Sequence, residues 1–116
     1  MKYAVLVYET TNDFESRSDP ARLGAYWGAY SGYAEATKNA GVAAGGHALQ
    51  PPSTATTVRV RNGQTQVQDG PFADTKEQLG GLFVIEAASL DEALAWAARC
   101  PSAATGSAEV RPILAM

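Results

Sequence analysis

The chain has 116 residues, 46% hydrophobic and 18% charged, a balance that fits one soluble globular domain over residues 1–116 and excludes a disordered or fibrous protein. Its net charge of −3, with nine lysines and arginines scattered along the chain, argues against a nucleic-acid partner. The lone cysteine and the short apolar run over 3–8 predict neither a disulfide, a zinc site nor a membrane span. We therefore expect a cytoplasmic protein that uses no metal and no cofactor.

The first half of the chain predicts a strand, a helix and a second strand. "YAVLVY" at 3–8 is apolar on both faces and is typical of a buried strand. Residues 18–41 change to a helical period, with Ser18 or Asp19 as the N-cap, Pro20 in the first turn and Gly41 at the end. The stripe expected to face the core is Leu23, Trp27, Tyr30, Ala34 and Thr37. "VAAGGHALQPP" at 42–52 predicts the next strand.

Three glycines of the predicted helix, Gly24, Gly28 and Gly32, also recur at steps of four residues. They indicate either small-residue packing against the sheet, which we favour, or a surface that a ligand or partner backbone approaches closely.

The second half predicts a hairpin, a strand, a helix and a last strand. Two alternating arms at 56–68 flank Asn62-Gly63, a pair that favours a type I′ turn and sets Val58 opposite Val67. "GLFVIEA" at 81–87 is again apolar on both faces. Ser89 and Glu92 predict a capping box for a helix that stops at Pro101, and residues 108–115 give the last strand.

This order of elements predicts the fold class. Two β-α-β units around an inserted β-hairpin make an α+β, ferredoxin-like split β-α-β sandwich. Helices cover only one face of such a sheet, yet two of its strands are apolar on both. A second copy of the chain is the simplest cover, so we expect a homodimer.

The stretch from Leu49 to Ala87, together with "DEALAWAARCP" and "EVRPI", closely resembles YCII-related proteins of the DGPF type, named for the tetrapeptide Asp69–Phe72. The resemblance covers nearly the whole chain. It implies a dimeric α+β barrel with a small-molecule pocket between helix and sheet in each subunit. Members of the DGPF branch are often encoded near extracytoplasmic-function sigma factors, which implies association with such a factor.

One branch of the wider family resembles dehydrochlorinases of chlorinated hydroxyquinols. Their chemistry uses a His near the start of the first helix and an Asp at the end of the second. Here "DPARLGAY" contains no His, and Cys100 stands at about the position of the Asp. The resemblance therefore does not carry that reaction over to this chain, and we expect Cys100, at a helix C-terminus, to be unreactive.

The segment "QVQDGPFADTKEQLGG" at 66–81 is the first candidate site. Asp69-Gly70-Pro71 is turn chemistry, and a purely structural turn is one interpretation. The other is a pocket rim anchored by Phe72 and followed by Asp74, in which Lys76 binds an anionic or phenolate substrate while Glu77 or Asp69 moves a proton.

Three further residues complete the candidates. His47 is the one group whose ordinary pKa suits acid–base catalysis near neutrality, although a structural role is the commoner one. Tyr8 can point a hydroxyl into the pocket or pack in the core. Arg111, in the last strand, is a candidate for substrate binding and for an ion pair with Glu86.

Together these features predict a small-molecule-binding protein. Its leading function is a cofactor-independent enzyme that transfers protons on a small aromatic or enolisable substrate. The alternative is a non-catalytic ligand- or protein-binding module that works beside a sigma factor.

Overall fold

The computed structural model describes residues 1–71, 73 and 75–116. Its strands are β1 (Lys2–Thr10), β2 (Ala43–Ala48), β3 (Thr56–Arg61), β4 (Gln64–Asp69), β5 (Glu77–Glu86) and β6 (Ser107–Pro112). Its helices are α1 (Thr11–Ser16), α2 (Leu23–Asn39), α3 (Leu90–Ala98) and α4 (Ser102–Thr105). None of the helices in the described part of the chain is long and apolar enough to cross a membrane.

The predicted fold class is confirmed. Four strands form an antiparallel sheet in the order β2-β5-β1-β6, and β3 pairs with β4 in a separate two-stranded sheet. With α2 after β1 and α3 after β5, the chain is a ferredoxin-like α+β fold with an inserted hairpin. Helix α1 was not predicted. It begins at a capping box between Thr10 and Asp13, which extends β1 directly into a helix.

The core lies on one face of the four-stranded sheet. Along β1, alternate side chains from Tyr3 to Val7 are buried against the helices, as the period of a strand requires. Ile85 of β5 joins them, and α3 covers them with Ala93 and Ala97. We call the other face the open face. It carries Ala4, Leu6 and Tyr8 of β1 with Leu82 and Val84 of β5, and all five side chains are half-buried.

Helix α2 buries only part of its predicted stripe. Thr37 is buried as expected, but the other buried residue is Tyr33, and Leu23 and Trp27 of the stripe are 38% and 39% exposed. The expected N-cap is also wrong. Asp19 accepts hydrogen bonds from the Ala21 amide and the Arg22 side chain, and so closes a turn before the helix begins. Gly41 ends the helix with a φ of +74°, as expected.

The glycine stripe of α2 does not pack against the sheet within one chain, so the interpretation that we favoured is wrong. A Cβ atom added at Gly24, Gly28 or Gly32 would have no heavy atom within 4 Å. The stripe lies on an exposed face of α2.

The hairpin has the predicted turn and register. Asn62 and Gly63 have φ values of +52° and +74°, and Val58 faces Val67. The apolar face is nevertheless uncovered, because Val58, Val60 and Val67 are 62%, 59% and 67% exposed.

The expected ion pair between Glu86 and Arg111 is wrong. Glu86 lies opposite Lys2 and Arg111 opposite Ala4, on strands that flank β1 from its two sides. Glu86 instead binds the N-terminal ammonium group at 3.0 Å, and Arg111 binds Glu109 of its own strand at 2.5 Å.

Two glycine substitutions should change stability in opposite directions. Gly63→Val places a β-branched residue at positive φ, and we expect it to lower the free energy of unfolding by about 1 kcal/mol or more. Gly28→Ala adds a methyl group to a helical residue with open space around it, and we expect a gain of about 0.5–1 kcal/mol. Urea unfolding of both variants checks this. Equal midpoints for wild type and Gly63→Val would contradict the turn assignment.

Candidate functional site

A cavity of about 460 Å³ lies between α2 and the edge of the sheet formed by β2 and β5. Its helix wall includes Trp27, Tyr30, Ser31, Ala34 and Lys38, its sheet wall includes Gly45, Gly46, Gly80, Gly81 and Phe83, and Val7, Glu9 and Arg17 close its inner end. This volume lies in the range of small-molecule sites in proteins.

The inner end of the cavity holds a buried carboxylate. Glu9 continues the buried side of β1 and is 1% exposed. Its Oε1 atom accepts a hydrogen bond from Arg17 Nη2 at 2.8 Å, and its Oε2 atom accepts from the hydroxyl groups of Tyr26 at 2.5 Å and Tyr30 at 3.2 Å. These three donors satisfy the charge of a carboxylate that water does not reach.

Arg17 is committed to the protein itself. Its Nε donates to the hydroxyl oxygen of Tyr26 at 2.9 Å, its Nη1 to the carbonyl oxygen of Leu49, and its Nη2 to the carbonyl oxygen of Gly80 at 3.1 Å as well as to Glu9. Four of the five N–H groups of a guanidinium are thereby used. Arg17 therefore neutralises Glu9 and joins three parts of the chain, which leaves it poorly placed to bind a ligand anion.

A β-bulge makes room for this ion pair. Val7 pairs with Gly81 and Tyr8 with Leu79, so Gly80 is an extra residue on β5. A Cβ atom at Gly80 would come within 3.1 Å of Arg17 Nη2 and would overlap Glu9 Oε1. Only glycine lets the backbone approach this closely while it turns its carbonyl oxygen toward Arg17.

The tyrosines of the cluster keep their protons. Burial, followed by the hydrogen bond to Glu9, raises the pKa of Tyr26 well above its usual range. Burial and the nearby charge of Glu9 raise the pKa of Tyr30 in the same direction. Burial alone would lower the pKa of Arg17, but its hydrogen bonds to Tyr26 and Glu9 raise it overall. Both phenols therefore act as hydrogen-bond donors near neutral pH.

Aromatic side chains and the backbone of glycine residues form the two long walls of the cavity. Trp27 meets Tyr26 edge to face at 4.8 Å between ring centroids, and its exposed part faces the cavity. The rings of Tyr30 and Phe83 are nearly parallel, with an interplanar angle of 11°. Opposite the helix, the glycines of β2 and β5 present no side chain. Such walls suit a flat, largely apolar ligand.

Cys100 lies behind the cluster, not in the cavity. Its side chain is buried against Val7 and Tyr33, with Sγ 3.4 Å from Ser102 Oγ. Burial raises the pKa of the thiol, which keeps it neutral.

Four of the residues expected at the site lie along the open face. Tyr8 faces Ser107 of β6, and Glu77 accepts a hydrogen bond from Ser107 Oγ at 2.6 Å. Arg111 lies farther along β6, opposite Ala4, and His47 lies on the edge strand β2 opposite Leu82. The alternation of strand residues directs these side chains away from α2. His47 nevertheless is among the residues that line the cavity, because β2 forms its outer edge. They are spread along the sheet, and their roles stay predictions.

The remaining candidates belong to the hairpin and the segment after it. Asp69 ends β4 opposite Thr56, and Lys76 is an exposed residue just before β5. Gly70 has a φ of +91°, so the positive φ expected of this glycine is confirmed. Phe72 and Asp74 lie outside the described residues.

Sequence reasoning missed Glu9, Arg17, Tyr26 and Gly80, and took Tyr30 for a core residue. One signal was available for Glu9. It follows Tyr3, Val5 and Val7 at the period of a strand, which predicts a carboxylate on the buried face. Nothing local marks Arg17 or Gly80, because their roles come from a turn and a bulge that form only in the folded chain.

Comparisons with known proteins agree with one another. The family model for the YCII-related domain matches residues 1–116. An uncharacterized protein of Rhizobium meliloti (strain 1021) is 42% identical to the chain, in an alignment covering 97% of this chain and 92% of that protein.

The ion pair inside the cavity should contribute far more to stability than an ion pair at the surface. We expect Arg17→Met to lower the free energy of unfolding by about 3 kcal/mol, because Glu9 then stays buried without a cation. The single variants Glu9→Gln and Arg17→Met each lower the free energy of unfolding. The decrease in the double variant Glu9→Gln/Arg17→Met should be smaller than the sum of those two decreases by at least about 1 kcal/mol. The exposed pair Asp19–Arg22 is the control, and its coupling should be much smaller because solvent screens it. Urea unfolding gives both couplings, and equal values would contradict the role assigned to the buried pair.

The raised pKa of Tyr30 should appear as alkaline destabilisation. Unfolding releases the Tyr30 proton at any pH above the ordinary tyrosine pKa, so stability is complete below about pH 10 and is lost as pH rises toward the folded pKa. Tyr30→Phe removes this group. We expect the free energy of unfolding to fall with pH less steeply in the variant, by about 1 kcal/mol over the interval from about pH 10 to pH 11. Parallel curves would show that Tyr30 ionises equally in both states.

Proposed function

Because the chain belongs to the YCII-related family, we propose that it binds a small, flat molecule in the cavity between α2 and the β2–β5 edge and transfers protons on it with its own side chains. The observation that carries this proposal is the buried carboxylate of Glu9 at the inner end of the cavity, hydrogen-bonded to the hydroxyl group of Tyr30. A carboxylate and a phenol at one end of an apolar cavity are the usual components of acid–base catalysis.

The charges of the inner end favour a neutral ligand group. Glu9 and Arg17 cancel each other at 2.8 Å, and Arg17 has few donors left to give. A ligand carboxylate placed there would meet the negative charge of Glu9 without a free cation to offset it. A neutral carbonyl or hydroxyl group can instead accept a hydrogen bond from Tyr30. The proposal therefore favours a ketone, enol or protonated phenol at the inner end.

The proposed step is an enolisation. On ligand binding the hydroxyl group of Tyr30, which keeps its proton, exchanges its hydrogen bond to Glu9 for one to the carbonyl oxygen of the ligand and stabilises the charge that develops there. Glu9 accepts the proton from the neighbouring carbon as that C–H bond breaks, and the electron pair forms the C=C bond of the enolate. Return of the proton to the ligand completes a tautomerisation or an exchange with solvent, with no other reactant consumed.

The second candidate is a binding module without catalysis. It is favoured by the hydrogen bonds of the cluster, because Glu9 and Arg17 are already satisfied by partners within the chain. In that case the cluster only shapes and stiffens the cavity. Association with a sigma factor stays a prediction from the family resemblance.

The expected homodimer belongs to the same proposal. Leu6, Leu82 and Val84 of the open face are only half-buried, and Leu79 beside them is 38% exposed. A second copy packed on this face would remove a continuous apolar surface from water, at about 25 cal/mol for each Å² buried. The cavity lies on the opposite side of the sheet, so dimer formation through the open face leaves it accessible.

Binding of phenylacetone, a small neutral aromatic ketone, tests the location of the site. Ala34 lines the cavity, whereas Ala29 is exposed on the same helix and does not line it. We expect Ala34→Trp to fill the cavity and weaken binding about tenfold or more, and Ala29→Trp to leave the affinity unchanged. Calorimetric titration gives both affinities. Equal weakening, or none in either variant, would contradict binding in this cavity.

Exchange of the benzylic protons of phenylacetone with D₂O separates the two candidate functions. We expect the wild-type protein to accelerate exchange, and Tyr30→Phe to lower the exchange rate about 100-fold or more while the affinity stays within about threefold. Proton NMR follows the loss of the benzylic signal. Binding without acceleration would leave the non-catalytic module as the function, and an unchanged rate in Tyr30→Phe would remove Tyr30 from the mechanism.

A further inference from the structure

The hairpin carries an apolar face that this chain does not cover. Val58, Val60 and Val67 lie on one side of the β3–β4 ribbon, and each is at least 59% exposed. We call these three residues the valine face. An isolated two-stranded ribbon is marginally stable in water and depends on packing against something else. Exposure of these valines to water therefore lowers the stability of the single chain, unless another surface covers them.

The dimensions of the chain show how much surface is uncovered. Its accessible area is 7404 Å², about 1,300 Å² more than the roughly 6,100 Å² expected for a compact monomer of 12.2 kDa. Its radius of gyration is 15.8 Å, compared with about 13.4 Å for a compact domain of this length. The excess area exceeds the roughly 800 Å² that each partner buries in a typical stable interface.

We propose that the β3–β4 hairpin is an arm whose valine face packs on a second copy of the chain. The same chain leaves two apolar surfaces uncovered, the valine face and the open face, and a twofold axis would let each arm cover apolar surface of the other subunit. The opposite face of the arm carries the exposed polar side chains of Gln66 and Gln68, which suit that face to remain toward solvent. The arm thus adds a second contact to the proposed open-face homodimer.

Lysine substitutions on the two faces of β4 test the arm. Val67→Lys would bury a charge in the contact, and we expect the dimer dissociation constant to rise about 30-fold or more. Gln68→Lys, the adjacent exposed residue on the other face, is the matched control and should change the constant less than about threefold. Sedimentation equilibrium measures both. Equal constants for Val67→Lys and wild type would overturn the arm.

Two further measurements keep this result unambiguous. Val84→Lys tests the open face alone, so a dimer weakened by Val84→Lys but not by Val67→Lys would retain the homodimer and remove the arm. In dimers mixed from isotope-labelled and unlabelled wild-type chains, filtered NMR should show contacts from the valine-face methyl groups to the other chain. A monomeric wild type, or a dimer without those contacts, would also overturn the proposal.

Discussion

The site depends on one buried ion pair. Glu9 and Arg17 lie 2.8 Å apart, and the hydrogen bonds of Arg17 to Leu49 and Gly80 fix the chain after α1 against β5 and the end of β2. Tyr26 donates to the same carboxylate, which fixes the rotation of α2. Without the pair, an unmatched charge would remain at the inner end of the cavity, and α2 would lose its polar contacts with the sheet.

The two faces of the four-stranded sheet have different roles. One face carries the core and the cavity under α2, and the other is the open face with its half-buried apolar side chains. Because strand residues alternate, neighbours such as Tyr8 and Glu9 serve different faces. This separation allows a small domain to keep a ligand site open while it presents a partner surface on the other side.

Much of the fold could be predicted from the sequence, and little of the site. Local signals were reliable where the backbone requires a positive φ that few residue types adopt, as in the Asn62-Gly63 turn and the helix end at Gly41. The site arises from contacts between distant residues instead. The expectation that Tyr8 points into a pocket depended on residue type, but burial follows the strand period, which turns Glu9 and not Tyr8 toward α2. The bulge at Gly80 leaves no local pattern that marks it as a neighbour of Arg17.

The most direct test of this account locates a bound probe on the protein itself. In a titration of the isotope-labelled chain with phenylacetone, followed by two-dimensional NMR, we expect the largest shifts at the Trp27 indole and at the amides of Gly46 and Gly81, which border the cavity. Signals of Leu6 and Val84 on the open face, which do not line the cavity, should move much less. Shifts confined to the open face, around Glu77 and Arg111, would place the ligand on the other side of the sheet and contradict the account.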